Sequence, residues 1–334
     1  GVRDLEYPIP NPDPICKILT SARDDDRLDI LHVDNGNPSI IAENIIPSTE
    51  ITKCLVENLS DGAVLSFGLE SADPHVHEMN WLNCDPRQLK IAIKHINDFG
   101  REKGERGLPK LLPGLNFIAG LNGETKKSYD MNLNLLEDLR SEGLWLRRIN
   151  IRQVEGQGFQ KISETDFKNF KEKVRHEIDK PLLEEIFPVG SKLSRVWWES
   201  QGDRIRVPEQ VKNPIFCSPS IYGKSGITFG RQIGAYPILV GVPYLIPLET
   251  ESDILVTGHG MRSISGVEIG LDINSVSQQQ LESIPGIGKK AAWRIISSRA
   301  KASRNSKTPF DSVEMAFEMA GVDMSPIAQK VLSI

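Results

Sequence analysis

The sequence has little of what several kinds of site require. Its cysteines are isolated along the chain, with no C-x-x-C pair and no close Cys/His pair; they are Cys16, Cys54, Cys84 and Cys217. This spacing excludes a zinc or iron–sulfur site assembled from local ligands, and it is typical of a chain kept in a reducing cytosol. We therefore predict a cytoplasmic protein with no metal ligands in this chain.

Long hydrophobic runs and an excess of positive charge are also missing. No apolar stretch approaches the roughly 20 residues that a membrane helix needs, and the first ten residues lack the basic-then-apolar order of a secretory signal. The 40 Lys and Arg against 45 Asp and Glu give a net charge of −5, so the whole chain has no field that attracts nucleic acid. We predict no membrane partner, and any nucleic-acid binding must depend on a local basic patch.

What the sequence does have is enough apolar residues, 39% of 334, to build two or three domains. Its first part alternates strand-like runs with helical segments, which predicts parallel strands joined by right-handed crossovers. The predicted strands are Val2–Tyr7, Asp29–Val33, Ala63–Leu69, Leu115–Ala119 and Arg147–Val154. The predicted helices between them are Thr49–Leu59, Asp85–Lys103 and Thr125–Glu142.

The predicted strands of this first part end in polar or glycine-rich residues. Because the carboxyl ends of parallel strands meet at one mouth, we expect these residues to line one pocket. Carboxylates suit an ammonium group, an arginine suits a carboxylate and glycines allow close approach, so the set fits a ligand with an amino-acid head, a ribose and a flat ring. The alternative is that they are ordinary turn residues and helix caps. They are Asn35, Asn37, Glu70, Ser71, Gly120, Asn150 and Arg152.

Two stretches resemble a known family. Phe67–Ser71, with the sequence FGLES, and Gly114–Thr125, with the sequence GLNFIAGLNGET, are similar to radical S-adenosylmethionine (SAM) enzymes. The methylthiotransferase-like branch and an archaeal group with a C-terminal helix-hairpin-helix are the most similar. The resemblance implies that Glu70 and Ser71 contact the ribose or methionine part of SAM and that Ile118 and Gly120 flank the adenine. It also implies that four further residues line the same mouth: Asn35, Asn37, Asn150 and Arg152.

The sequence departs from this family at the metal cofactor. The C-x-x-x-C-x-x-C loop that holds a 4Fe–4S cluster is missing, and five strands are predicted where the family has six. We therefore expect an upstream segment to supply the cluster and these 334 residues to be inert alone. The alternative is a catalytically inactive barrel that serves as a scaffold for a DNA- or RNA-binding module.

A short glycine- and lysine-rich motif near the C-terminus carries a separate prediction. Between Pro285 and Lys307 there are seven Lys or Arg residues and no acid. Two glycines permit a tight turn before a helix, whose outward N–H groups bind phosphate without reading bases. The motif resembles a helix-hairpin-helix, which implies nucleic-acid binding; a protein-interaction hairpin is the alternative. The implied binding residues are Gly286, Gly288, Lys289, Lys290 and Arg294.

Together with the resemblance, these features predict three domains and a connector. Residues 1–155 form a partial (β/α)6 TIM-like barrel without its first strand, and 156–188 form a connecting helix. Residues 189–267 form a small TRAM-like β-barrel, and 268–334 form an all-α helix-hairpin-helix domain. The expected function is the C-terminal portion of a radical SAM enzyme that makes a 5′-deoxyadenosyl radical and acts on, or is recruited to, nucleic acid. The sequence identifies no catalytic residue.

Overall fold

The computed structural model describes residues 7–154, 156, 163–202, 213–303 and 308–334. The chain forms two compact units. The first comprises Gly1–Ile186 with Gly234–Tyr236, and the second comprises Phe187–Ile233 with Pro237–Ile334. Most of the predicted strand Val2–Tyr7 lies outside the described residues. Of the helices that the structure describes, none is both long and apolar enough to cross a bilayer.

The first unit contains parallel strands separated by helices. Its strands are β1 (Asn35–Gly36), β2 (Ala63–Glu70), β3 (Leu111–Ala119) and β4 (Ile149–Gln153). The helices before β4 are α1 (Pro12–Arg23), α2 (Pro38–Glu43), α3 (Ile45–Asn58), α4 (Pro74–Asn80), α5 (Pro86–Gly100) and α6 (Lys126–Ser141). After β4 follow α7 (Glu164–Lys173), a π-helix (Val174–Asp179) and α8 (Lys180–Ile186).

The predicted partial (β/α)6 TIM-like barrel is wrong. The described strands of the first unit form an open sheet in the order β1-β2-β3-β4, with every pair parallel. A (β/α)6 barrel is built from six strands, and the described part of the chain supplies four to this sheet, one of them only two residues long. The predicted strand Asp29–Val33 has no ladder, because Leu31 exchanges its backbone hydrogen bonds with Ser60 in a loop. The sheet edge is therefore the two-residue β1.

Helix α5 shows why the local elements form where they do. The Asp85 side chain accepts from the backbone N–H of Gln88, and the Gln88 side chain accepts from that of Asp85, which makes a capping box. Leu89, Ile93 and Ile96 then recur at helical spacing and are completely buried in the core of this unit. The helix ends at Gly100, close to the predicted limits Asp85–Lys103.

The second unit contains a closed five-stranded barrel. Its strands are β5 (Lys192–Gln201), β6 (Ser225–Gln232), β7 (Leu239–Tyr244), β8 (Glu251–His259) and β9 (Ser263–Glu268). They close in the order β5-β6-β7-β9-β8, with β7 and β9 parallel and the other pairs antiparallel. Trp198 is fully buried, and its indole N–H donates to Ser252 Oγ at 2.9 Å.

The C-terminal region is not the predicted all-α domain. It contains α9 (Gln278–Glu282), α10 (Lys289–Ala302), α11 (Val313–Ala320) and α12 (Pro326–Val331). However, β10 (Leu271–Asp272) pairs in parallel with β11 (Leu332–Ser333). The region also belongs to the same compact unit as the barrel, since Ser277 Oγ donates to the Gly223 carbonyl at 2.6 Å. A two-residue strand pair formed by the chain end is too short to leave a sequence pattern.

Candidate functional site

Two adjoining cavities open at the carboxyl ends of the parallel strands in the first unit. The polar cavity, about 260 Å³, is lined by the ends of β2, β3 and β4 together with Asp34 and Asn35. The wide cavity, about 510 Å³, is lined by the segment around β1, the end of β2 and residues 81–84 after α4. Both include Asn35 and Glu70, so these two residues lie where the cavities meet.

Glu70 has the most unusual environment in the site. The β2–β3 ladder slips between Gly68 and Glu70, and Glu70 adopts the left-handed backbone conformation with φ 69°. Its Oε2 atom is buried and accepts no hydrogen bond from any described residue. Burial raises the pKa of Glu70, while the nearby charge of Arg152 opposes this. A carboxyl group on a strained backbone, with a buried oxygen that has no partner among the described residues, is typical of a binding site when it lies at a cavity.

A chain of side-chain hydrogen bonds orients the amide groups on the β3–β4 side. Asn150 Nδ2 donates to Asn116 Oδ1 at 2.8 Å, and Arg148 Nε donates to Asn150 Oδ1 at 2.9 Å. Arg148 has φ 87°, and its guanidinium lies 4.7 Å from the centre of the Tyr236 ring. These contacts fix the Asn150 carboxamide at the wall of the polar cavity, where it can recognise a hydroxyl group.

A histidine lies beside the polar cavity. His32 Nε2 is 3.7 Å from Asp34 Oδ1, which itself lines the cavity. Burial lowers the pKa of His32, the Asp34 charge opposes this, and the Arg148 charge adds to the lowering. His32 is therefore held in its neutral form near physiological pH.

The structure brings six of the eight predicted cofactor-binding residues to these cavities. Five line the polar cavity, and Asn37 lines the wide one. Ser71 is not among them, because it is 1% exposed and its Oγ accepts from the Asp73 backbone N–H at 3.2 Å. The six are Asn35, Asn37, Glu70, Ile118, Asn150 and Arg152.

Gly120 also lies away from both cavities. Its N–H donates to the Glu124 carboxylate, with both oxygens at 3.2 Å, and the Tyr129 hydroxyl donates to the same carboxylate. Burial raises the pKa of Glu124, and these hydrogen bonds oppose the shift. The glycine-rich segment 120–125 is thus a loop held together by its own glutamate, rather than an open cradle for a ligand.

Sequence reasoning missed several residues that line the cavities. Asn116 could have been found, because it precedes Ile118 by two positions and strand side chains alternate between faces. Asp34 directly precedes Asn35, and its position at a strand end carried the same signal. Arg148 and Trp81 both have positive φ angles, which a sequence pattern does not predict for residues other than glycine.

The cysteines of this chain do not fit an iron–sulfur cluster. Among the described residues, no three His, Cys, Asp or Glu side chains converge as metal ligands. The pKa of Cys54 is raised to about 12, mainly by burial and secondly by its interaction with the Cys16 thiol. Cys84 is buried and donates to its neighbour's carbonyl, that of Asp85, at 3.3 Å. Cys217 belongs to the second unit.

The hairpin residues form a second candidate site, in the second unit. Gly286 has φ 95° in the turn, and Gly288 caps α10 without a side-chain hydrogen bond. Not every basic residue of the segment is available, because Arg299 Nη1 donates to the carbonyls of Ile273 and Val276 at 3.1 and 2.7 Å. The remaining residues predicted to bind nucleic acid are exposed; they are Lys289, Lys290 and Arg294.

Comparison with known proteins identifies archaeal relatives. No protein-family model matches the chain. An uncharacterized protein of Archaeoglobus fulgidus is 36% identical over 299 residues, which are 86% of this chain and 52% of the relative. An uncharacterized protein of Methanocaldococcus jannaschii is 36% identical over 272 residues, 78% of this chain and 46% of the relative. The chain therefore spans about half the length of the curated relatives that it matches.

Proposed function

We propose that the carboxyl edge of the parallel sheet binds a nucleoside that carries an amino-acid group, with SAM as the candidate. The observation that carries this proposal is the buried Glu70 Oε2 atom, which has no hydrogen-bond partner among the described residues. A desolvated carboxylate is costly unless a charge or a hydrogen bond compensates it. The ammonium group of a bound amino acid would supply the missing hydrogen bond and a positive charge in addition to that of Arg152.

The opposite charge needed to recognise an amino-acid head is also present. Arg152 is exposed, lines the polar cavity with Glu70 and interacts with it electrostatically. A guanidinium pairs with a carboxylate through two parallel hydrogen bonds. Glu70 and Arg152 would thus bind the ammonium and carboxylate groups of one ligand, which supports a zwitterion over a simple cation or anion.

The remaining groups of the polar cavity support a sugar next to the charged head. Asn150 is held by Asn116 and Arg148, so its carboxamide is already oriented before a ligand arrives. Preorganised amides can bind ribose hydroxyls with little loss of side-chain entropy. Ile118 adds an apolar surface to the same cavity.

The proposal assigns binding and orientation to this chain, and no redox step. Cleavage of SAM to a 5′-deoxyadenosyl radical requires an iron–sulfur cluster, and the cysteines of this chain do not fit the ligand set of such a cluster. The radical activity therefore stays a prediction for a longer enzyme of which this chain would be the C-terminal portion.

Nucleic-acid binding by the hairpin is a second candidate function. The specific observation is the start of α10, where Gly288 leaves the first backbone N–H groups without a side-chain cap beside exposed Lys289 and Lys290. Backbone N–H groups and a helix dipole at such an end favour a phosphate group. This function is independent of the ligand proposed for the first unit.

Calorimetry with SAM tests the first function. We expect Glu70→Gln to weaken SAM binding by about 1–3 kcal/mol, because the amide keeps the shape but loses the charge that pairs with the ammonium group. Glu78→Gln is the matched control, since Glu78 is exposed on α4 and lines neither cavity. Equal SAM affinity in the wild type and Glu70→Gln would contradict the proposal.

A further inference from the structure

Trp81 is the most exposed large apolar residue among the described ones. Its side chain is 90% exposed, although it lines the wide cavity together with Glu70. An indole left in water loses the stabilisation that a buried aromatic side chain provides. No packing of the described residues explains why a tryptophan occupies this position.

The backbone at Trp81 makes this choice of residue more unusual. Trp81 follows the last residue of α4 and has φ 54° and ψ 43°, the left-handed conformation. Its N–H donates to the His77 carbonyl, and the N–H of Leu82 donates to the same carbonyl at 3.2 Å. Helices that end in this way favour glycine at that position. A bulky side chain is strained there, and such strain is found at functional sites.

Neighbouring contacts hold the end of α4 rigidly. Asn80 Nδ2 donates to the Val76 carbonyl at 2.7 Å and to the Asn122 carbonyl at 2.8 Å. In return, the Asn122 N–H donates to Asn80 Oδ1 at 3.1 Å. These bonds tie the residue before Trp81 to the loop after β3, so the indole is presented from a fixed backbone. A ligand that stacks on it therefore orders the indole side chain but not the backbone that carries it.

We infer that Trp81 is the stacking surface for the base of the nucleoside bound at this site. The inference rests on the proposed function and deepens it, because it adds the part of the ligand that Glu70 and Arg152 do not reach. Every base presents a flat π-face, and stacking on an aromatic side chain is a strong and sequence-tolerant contact. Asn35 and Asn37 line the same wide cavity; Asn37 Oδ1 already accepts from the Ile40 N–H at the start of α2, so Asn37 offers only its amide N–H groups to the edge of the base, whereas Asn35 offers its whole amide.

Glycine substitution separates a binding role from a structural one. Because the left-handed conformation favours glycine, Trp81→Gly removes backbone strain and keeps the helix end. If the Trp81 side chain contributed packing, Trp81→Gly would be less stable than the wild type. If the Trp81 side chain serves to stack on a base, Trp81→Gly is at least as stable as the wild type but binds the base more weakly.

The test measures binding of adenosine, SAM and methionine to the full chain by calorimetry and tryptophan fluorescence. We expect Trp81→Gly to weaken adenosine and SAM binding about ten-fold, which is the size of effect expected when one base–aromatic stacking contact is lost. The variant should also lose the change in tryptophan fluorescence that ligand binding causes in the wild type. Methionine binding is expected to stay unchanged, and Trp81→Phe to retain most of the affinity. Trp293→Ala is the control, because Trp293 is 61% exposed and lies in the second unit.

The outcomes distinguish this inference from the proposed function. Wild-type adenosine affinity in Trp81→Gly, with SAM binding that still depends on Glu70, overturns the stacking role and leaves the proposed function intact. A loss of thermal stability in Trp81→Gly that matches its loss of affinity also overturns it, since packing would then explain both. If the wild type binds neither SAM nor adenosine, both the proposed function and the stacking role of Trp81 are overturned.

Discussion

Oε1 of Glu70 lies so close to Gly68 that a Cβ atom at position 68 would stand 2.6 Å from it. Gly68 and Glu70 occupy the bulged end of β2, and both line the wide cavity. A side chain at position 68 would thus displace the Glu70 carboxylate rather than the backbone. The glycine in the FGLES segment has a steric role that its sequence neighbours do not reveal.

This close approach predicts the effect of a single added methyl group. We expect Gly68→Ala to weaken SAM binding by about 1–2 kcal/mol, because the flexible Glu70 side chain must turn away from its position. The free energy of unfolding should change far less than the binding free energy. Calorimetry with SAM and urea denaturation measure the two quantities.

The matched control is Gly258→Ala in β8, where an added Cβ meets its nearest atom at 3.8 Å, an ordinary contact. If Gly68→Ala binds SAM with wild-type affinity, Glu70 does not need its present position. That result would contradict the role proposed for the Glu70 carboxylate in SAM binding.

A buried carboxyl group in the second unit predicts a pH-dependent stability. Burial raises the pKa of Glu268, and hydrogen bonds with Tyr222, Ser252 and Tyr244 only partly oppose this. The folded protein therefore keeps the Glu268 proton at pH values where the unfolded chain has released it. Stability from this group is present below the unfolded pKa of about 4.5 and is lost as the pH rises through the folded pKa.

Glu268→Gln should remove this dependence and make the second unit more stable at pH 8 than the wild type, because the amide is always neutral. Urea denaturation at pH 5 and pH 8, followed by tryptophan fluorescence, to which the buried Trp198 contributes, measures how the free energy of unfolding changes with pH. Glu318→Gln, an exposed change on α11, should leave it unaltered. An identical pH slope in wild type and Glu268→Gln would show that another group causes it.

Binding of nucleic acid by the hairpin should depend on the salt concentration. We expect Lys289→Ala together with Lys290→Ala to weaken duplex DNA binding at every sequence. The slope of log K against log salt should fall by about 2, because each lysine that no longer neutralises a phosphate reduces it by about one unit. Fluorescence anisotropy over a series of salt concentrations gives this slope.

The control replaces Lys301 and Lys330 with alanine, which removes the same charge from the far end of α10 and from α12. If both double variants lose the same amount of affinity, net charge explains the binding rather than the hairpin. If the wild type shows no salt-sensitive binding, the protein-interaction alternative for this motif remains.

Local elements of this protein were predictable where their hydrogen bonds are local. The sequence places the helix of Asp85–Lys103 correctly because its capping box and its apolar stripe lie within one segment, and the structure has α5 at Pro86–Gly100. The strand Asp29–Val33 was wrong for the opposite reason. Its apolar residues have strand propensity, but Leu31 bonds to a loop at Ser60, 29 residues away.

The candidate site was predictable in part. The rule that parallel strands end at one edge brings together Asn35, Glu70 and Arg152, although the barrel predicted around them is wrong. The same rule does not separate Glu70 from its neighbour Ser71, because a bulge and a positive φ turn one side chain to the cavity and leave the other buried.

The sequence by itself determined helices α3, α5 and α6, the polar residues at the strand ends and the position of the basic hairpin, because these properties arise from residues within a few positions of each other. It did not predict α1, α2 or α4. Only the tertiary structure decided that the first sheet stays open, that β5–β9 close into a barrel with the order β7-β9-β8, and that Trp81 stands at a cavity with Glu70. Each of these depends on hydrogen bonds and packing between segments far apart in the chain, which local patterns do not encode.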